Sequence, residues 1–499
     1  MTKRTFRLSI LGIFIFAVGL RFWGLARFNT LVFDEVYFAQ FGNNYLTKTP
    51  FFNAHPPLSQ YLIGLGIWIG SHIPFWQNSL NSLTGSLLSS WSYRWANALT
   101  GSLIPVIAIF LSYQLSYRRG FALLAGLFTA LDGLFLVESR YALSNIYIVL
   151  FGLLGQWFLL LALEKRPGQK WEKLIKLLVA GICFGASLAT KWNGLWFLLG
   201  VYGMWIVGWI IRWLQPGENE PNQGFYQESN EELRVKNEPD MMRIPLAKIT
   251  QINIWQMVFF LGVIPLITYS LIWIPHLQLD RRYGFIEVHQ QILNFHLHLG
   301  GNDSSVHPYC APWYKWPLMT RPMAYFYQKS QSFQDPLPVF GPPLPAASGK
   351  VIYDIHAMGN PVLWWFGITA IILLLQIVFI GIVLPSIQQK RLFIPRNISV
   401  DTWIGLYVVI NYAANLLPWV RVSRCVFIYH YMSALVFVFL ALAWFVDCCL
   451  RSNYKSMRIL GWTVTGSTIA AFIFWLPIYL GLPLSSADYW LRMWFRSWI

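Results

Sequence analysis

The sequence predicts an all-α polytopic membrane protein with about eleven transmembrane helices and two large loops outside the cytoplasm. Three observations predict it. The 499 residues are 56% hydrophobic and 17% aromatic but only 12% charged, which leaves too little polar surface for a water-soluble chain. Apolar runs of about 20 residues, the length that crosses the hydrocarbon core, recur from end to end. The basic residues behind the net charge of +16 sit in short clusters between those runs, as the positive-inside rule requires, and form no nucleic-acid-binding face.

The first run, 8–27, follows Lys3, Arg4 and Arg7 and precedes no small-residue cleavage site, so it reads as an uncleaved anchor with its N-terminus inside. An outer loop at 28–90 follows. Within it, 58–75 is apolar but carries Gln60, Ser71 and His72 between prolines, which suits a helix lying in the interface. Runs at 91–115, 120–137, 141–163, 173–190, 194–214 and 255–275 complete a transmembrane core over 1–275. A cytoplasmic linker at 215–254, rich in Glu, interrupts that core and reads as disordered. A second large outer loop spans 276–361, and the segment 362–499 holds the last runs at 362–386, 402–419, 426–447 and 458–482.

This order puts Arg118–Arg119, the cluster from Lys165 to Lys173, Lys390–Arg391 with Arg396, and Arg451 with Lys455 in the cytoplasm. The short turns at 138–140, 191–193 and 420–425 then face outward with the two large loops. The five cysteines show no CxxC spacing, and only Cys310 falls in a large outer loop, so neither a disulfide nor a thiolate metal site is expected. No internal repeat is visible, which counts against a transporter or lipid flippase.

The chemistry-bearing residues all fall on the outward side. Asp34–Glu35 follows the first run, and His55-Pro56-Pro57 lies about twenty residues later. Asp132 sits inside the third run, where a charge costs about 2.5–3.5 kcal/mol, and Glu138-Ser139-Arg140 closes that run. Arg94, Lys191, Arg421 and Arg424 stand at other outer edges. A single edge arginine is more often a lipid anchor; several beside paired acids suit a reaction on a lipid-linked phosphate. Departure of a phosphate needs cationic stabilisation but little acid catalysis, so one base suffices. Neighbouring residues do not face the same way, so Asp34 is assigned as the base and Glu35 as a structural or acceptor-positioning group.

The succession Phe33-Asp34-Glu35-Val36-Tyr37-Phe38, His55-Pro56-Pro57-Leu58, Leu131-Asp132-Gly133 with Ser139-Arg140, Lys191-Trp192-Asn193-Gly194-Leu195, His307-Pro308-Tyr309, Trp313-Tyr314-Lys315-Trp316-Pro317-Leu318, Arg321-Pro322, Gly359-Asn360-Pro361 and Tyr429-His430-Tyr431 resembles the protein O-mannosyltransferase family. The match runs in order over almost the whole chain. It implies a GT-C glycosyltransferase fold, a dolichyl- or polyprenyl-phosphate-mannose donor, Ser or Thr acceptors and an inverting reaction, with Asp34 activating the acceptor. Arg94 would lie near the donor phosphate or hold the first outer loop. Arg140, Lys191, Arg421, Arg424, His55 and Asp132 complete the donor and substrate set, and His307, Trp313, Trp316 and Arg321 are acceptor or sugar contacts.

The resemblance implies no metal and no cofactor; a zinc site at His296, His298 and His307 is disfavoured because no Cys or well-spaced carboxylate accompanies them. Expected partners are the lipid-linked donor and secreted or membrane protein acceptors, the translocon being one source. The expected place is the plasma membrane, with the active face toward the periplasm. Two departures stand out. Where the family often carries an acid after its Ser-Arg, this chain has Leu143-Ser144-Asn145, so any role of that acid is lost or moved. The loop at 276–361 is also too short for the luminal β-trefoil module of the eukaryotic enzymes, which implies the prokaryotic form. The open alternatives are a GT-C transferase of another sugar onto a lipid or glycan acceptor and, from another class, a lipid-linked sugar transporter or flippase.

Overall fold

The computed structural model describes residues 1–81, 88–164, 170–215, 244–301, 305–330 and 351–499. Most of the expected linker, 216–243, and residues 165–169 of the basic cluster lie outside the described residues. Helix α1 (Lys3–Phe22) leads into an outer layer of α2 (Glu35–Thr47) and α3 (Leu58–Ser71). The bundle continues through α4 (Ser90–Ser116), α5 (Arg119–Ala130), α6 (Gly133–Arg140), α7 (Asn145–Leu163), α8 (Lys170–Leu188) and α9 (Leu195–Leu214). Then come α10 (Ile254–Leu279), the outer helix α11 (Phe285–Leu297), α12 (Pro361–Gln388), α13 (Val400–Leu416), α14 (Met432–Arg451) and α15 (Lys455–Leu480), with the short α16 (Ser486–Arg492) last.

Among the described residues nine helices are long and apolar enough to cross a membrane, or ten if the bent pair α5–α6 is one span. The expected run 173–190 is the one not counted. It is helical, but Lys170, Glu172, Lys173 and Lys176 load the first two turns of α8 with charge. Those turns lie at the basic pole, where Lys173 donates to the carbonyl of Gln251 (2.9 Å). The other end reaches the first outer loop, where Leu58 N–H donates to the carbonyl of Ala189 (3.0 Å). At the same basic pole Arg118 pairs with Asp401, and Ile394 N–H donates to the carbonyl of Leu214 (3.4 Å).

The bend between α5 and α6, 59°, is where Asp132 sits. Its carboxylate caps α6 by accepting from Phe135 N–H (2.9 Å), and it also accepts from Trp364 Nε1 (2.7 Å) and Asn360 N–H (3.2 Å). Asn360 in turn donates to the carbonyl of Thr468 (2.9 Å). A Cβ on the adjoining Gly133 would lie 2.1 Å from the Tyr479 ring, so only glycine lets α15 close on this joint. The Leu131-Asp132-Gly133 and Gly359-Asn360-Pro361 sequences are thus two halves of one buried hinge, with the cost of burying Asp132 offset by three donors.

Two expectations are corrected outside the bundle. The outer layer is not wholly helical: β3 (Met323–Lys329) pairs antiparallel with β4 (Val351–Ala357), from Met323 opposite Ala357 to Lys329 opposite Ile352. Strand β5 (Leu484–Ser485), from the far end of the chain, adds to β4; β1 (Leu80–Asn81) and β2 (Leu88–Ser89) make a separate short pair. Cys310 and Cys425 form a disulfide, with Cα atoms 5.2 Å apart across 115 residues. The sequence reading placed 420–425 in an outward turn but counted only the large loops as outer places for cysteines; the chain unwinds after Arg421, and the turn brings Cys425 onto Cys310.

Candidate active site

The site grows from the turn before α2. Phe33 has φ of 53°, in the left-handed region that costs a residue with a side chain roughly 1–2 kcal/mol. Its ring stacks on Tyr325 (4.2 Å, 14° between planes), which helps hold it there. The turn sends the two neighbouring acids in different directions. Glu35 is fully buried and accepts four bonds: from Val32 N–H (2.8 Å), Ala142 N–H (2.8 Å), Arg94 Nε (2.8 Å) and Arg94 Nη2 (2.7 Å). Arg94 spends its other donors on the carbonyls of Leu25 (3.1 Å), Phe28 (2.7 Å) and Thr30 (2.7 Å). The pair therefore fastens the first outer loop to the start of α4.

Asp34, by contrast, is half-buried at the N-cap of α2, and no donor among the described residues reaches its carboxylate. Burial pushes that carboxyl up to about 6, and the positive charge of Lys191 opposes the rise. Lys191 precedes α9 and is itself pulled down to about 8 by burial, against the favourable charges of Asp34 and Glu138. Its ammonium donates to Asn145 Oδ1 (2.9 Å) and lies 5.7 Å from the Phe38 ring centre and 5.5 Å from that of Tyr429. Asn145 Nδ2 donates to Glu138 (3.1 Å), which also accepts from the Tyr325 hydroxyl.

Lys191 opens into a cavity of about 510 Å³ whose polar lining includes His55, His296, Arg421, Arg424 and His430. Trp192, Trp196 and Trp419 supply flat apolar walls. Asp34 is not among the lining side chains; Lys191 connects it to the cavity electrostatically. Burial and the nearby cations hold His55 well below its usual range and His296 at about 4, so both imidazoles are neutral at neutral pH. Lys191 and the two arginines give the chamber its charge, which suits an anion bearing an apolar or flat group.

The remaining candidates are placed elsewhere. Arg140 donates to the carbonyls of Leu20 (2.8 Å), Arg21 (3.2 Å), Trp23 (2.7 Å) and Gly24 (3.2 Å), closing the C-terminal end of α1 where a cation is favoured. Arg94, Arg140 and Asp132 thus do not reach the cavity: each is consumed by protein partners. Trp316 is fully buried behind it, stacked on His430 (6.1 Å) and edge-on to Trp419 (5.2 Å), so it shapes the wall without facing the interior. Trp313 is half-buried outside the lining. His307 accepts from Tyr309 N–H (3.2 Å) and abuts Phe427. Arg321 binds the carbonyls of Pro308, Ser497 and Ile499, which ties down the C-terminus. Glu138, Asn145, Tyr325, Trp196 and Trp419 were not foreseen; Glu138 alone carried a signal, an acid closing an apolar run.

Residues 11–279 match the family described as dolichyl-phosphate-mannose-protein mannosyltransferase, and residues 281–498 match the C-terminal four-transmembrane region of protein O-mannosyltransferase. The chain belongs to the protein O-mannosyltransferase family. It is 22% identical to a polyprenol-phosphate-mannose–protein mannosyltransferase of Mycolicibacterium smegmatis over 94% of this chain and 88% of that one. A protein O-mannosyl-transferase 1 of Mus musculus is 27% identical over 37% of this chain and 25% of its own length. The fold superposes on the S. cerevisiae protein O-mannosyltransferase Pmt1–Pmt2 complex bound to the sugar donor with a TM-score of 0.73, at 15% identity, covering 100% of this chain and 93% of that one. Like other members of the GT-C superfamily, this O-mannosyltransferase family protein is a multi-pass membrane transferase that moves a sugar from a polyprenyl-phosphate carrier to an acceptor.

Proposed function

We propose that the protein transfers mannose from a polyprenyl-phosphate-mannose donor to Ser or Thr hydroxyls of proteins, with inversion, on the extracytoplasmic face of the plasma membrane. Asp34 removes the proton from the acceptor hydroxyl, whose oxygen bonds to the anomeric carbon as the bond from that carbon to the phosphate oxygen breaks. The leaving polyprenyl phosphate keeps the electron pair, and Lys191, Arg421 and Arg424 hold the resulting charge. The observation that carries this reading is a half-buried carboxylate that no donor among the described residues reaches, set beside a lysine that opens into a cationic, tryptophan-walled cavity. The names of the full-length relatives supply the sugar and the class of acceptor.

The orientation rests on two supports. Basic clusters gather at the pole opposite the cavity, and the Cys310–Cys425 disulfide on the cavity side belongs in an oxidising compartment. In this topology α8 is the eleventh crossing, since it joins the basic pole to the outer loop.

The test is transfer of labelled mannose from polyprenyl-phosphate mannose to a Ser/Thr peptide by the purified protein in nanodiscs. Asp34→Asn is expected to lower transfer by about 10²–10⁴-fold. With a base titrating at about 6, wild-type activity falls roughly tenfold per pH unit below that point. Undiminished transfer by the variant removes Asp34 as the base. Sugar appearing only on lipid or glycan acceptors, or donor crossing the bilayer without transfer, overturns the wider reading.

A further inference from the structure

Lys191 holds its positive charge in a site where burial opposes it. The groups facing it are Asp34 and Phe38 at the start of α2, His55 in the first outer loop, Glu138 on α6, Asn145 on α7, His296 on α11, Arg424 in the turn before α14, and Tyr429 and His430 at the entry to α14. Of these only Asp34 and Glu138 are acids. Asp34 becomes neutral when it accepts the acceptor's proton, at the moment when negative charge builds on the departing phosphate. Glu138 does not face that proton: it is fully buried, and its two oxygens accept from Tyr325 and Asn145.

The path from Glu138 to the lysine is a polarised chain. The Asn145 amide donates through Nδ2 to Glu138 (3.1 Å) and accepts through Oδ1 from the lysine ammonium (2.9 Å). The amide therefore turns its negative end toward Lys191, and the carboxylate fixes it in that direction. Among the described residues Asn145 is the only hydrogen-bond acceptor of this ammonium, leaving two of its three N–H bonds for a ligand.

We propose that Glu138 is a positioning residue that acts through the Asn145 amide to hold Lys191 charged and aimed into the cavity while Asp34 takes up a proton. This deepens the functional reading above and rests on it for the role of Asp34.

The test moves the charge along the chain of bonds without changing its shape. In the double variant Glu138→Gln/Asn145→Asp, the new acid accepts directly from Lys191, and the new amide donates to that acid while accepting from Tyr325. In nanodiscs, competitive acetylation by acetic anhydride across the alkaline range, read by mass spectrometry, reports the titration of Lys191 with no substrate present. Glu138→Gln is expected to move that titration down by about one pH unit and to move the alkaline limb of mannosyl transfer with it. Asn145→Asp alone crowds two carboxylates and lowers transfer. The double variant is expected to restore both readouts to near wild type.

Tyr325→Phe removes one bond to Glu138 but leaves its charge, and is expected to leave the Lys191 titration in place. An unmoved titration in Glu138→Gln, a double variant no better than the single ones, or an equal shift in Tyr325→Phe would each overturn the relay. Should the acetylation results follow expectation while the wild-type protein transfers no mannose, the relay stands and the proposed reaction falls.

Discussion

Removing Arg94 separates a structural role from a substrate-binding one. Arg94 and Glu35 are both fully buried and 2.7 Å apart at their closest, and Glu35 keeps two backbone N–H donors, from Val32 and Ala142, when the arginine is gone. Arg94→Met leaves a buried carboxylate with no countercharge, a loss of about 3–5 kcal/mol. It also strands the carbonyls of Leu25, Phe28 and Thr30, each worth about 1 kcal/mol where water cannot replace the donor. Adding Glu35→Gln removes the stranded charge while the amide oxygen still accepts from one N–H. The double variant should therefore be more stable than the sum of the single losses by about 1–3 kcal/mol. Arg94→Lys, with three donors for an arginine's five, falls between. Denaturation midpoints of wild type, Arg94→Met, Glu35→Gln and the double variant in matched nanodiscs measure the coupling, and a titration with polyprenyl phosphate measures binding. An Arg94→Met protein with a wild-type midpoint and donor affinity reduced tenfold or more would refute this argument and put Arg94 at the phosphate.

Other outcomes follow from the same geometry. Because the folded protein binds the Asp34 proton more tightly than the unfolded chain, which titrates near 3.8, the associated stabilisation is present below pH 4 and lost as pH rises through about 6. Asp34→Asn should therefore be more stable than wild type by about 1–3 kcal/mol at pH 7.5 and equal to it near pH 4; a lower midpoint at pH 7.5 would contradict the burial of an unpaired carboxylate. Arg424→Gln should weaken polyprenyl phosphate binding by roughly 10–100-fold with a smaller change in kcat, and unaltered binding would move the phosphate elsewhere. Cys310→Ser opens a loop of 115 residues, worth about 4–5 kcal/mol in the chain-entropy estimate, and frees the turn that carries Arg424; maleimide labelling of both native thiols in intact membranes would show the bond absent.

The all-α membrane class, the chain order of most spans and the family were legible in the sequence, because span length and linear motifs are properties of neighbouring residues. Asp34 could be separated from Glu35 there too, since adjacent side chains diverge in any regular backbone. The sequence could not tell which edge charges were occupied. Arg94, Arg140 and Arg424 look alike in one dimension; packing sends the first onto Glu35 and three carbonyls, the second onto the end of α1, and leaves the third lining a cavity. Asp132 looked costliest and so most functional, yet three donors from Phe135, Trp364 and Asn360 account for it. The Cys310–Cys425 bond, the strand contributed by Leu484–Ser485 and the Glu138–Asn145–Lys191 chain each join segments far apart in sequence or on different helices. What a buried polar group does depends on which partners reach it, and only the tertiary structure decided that.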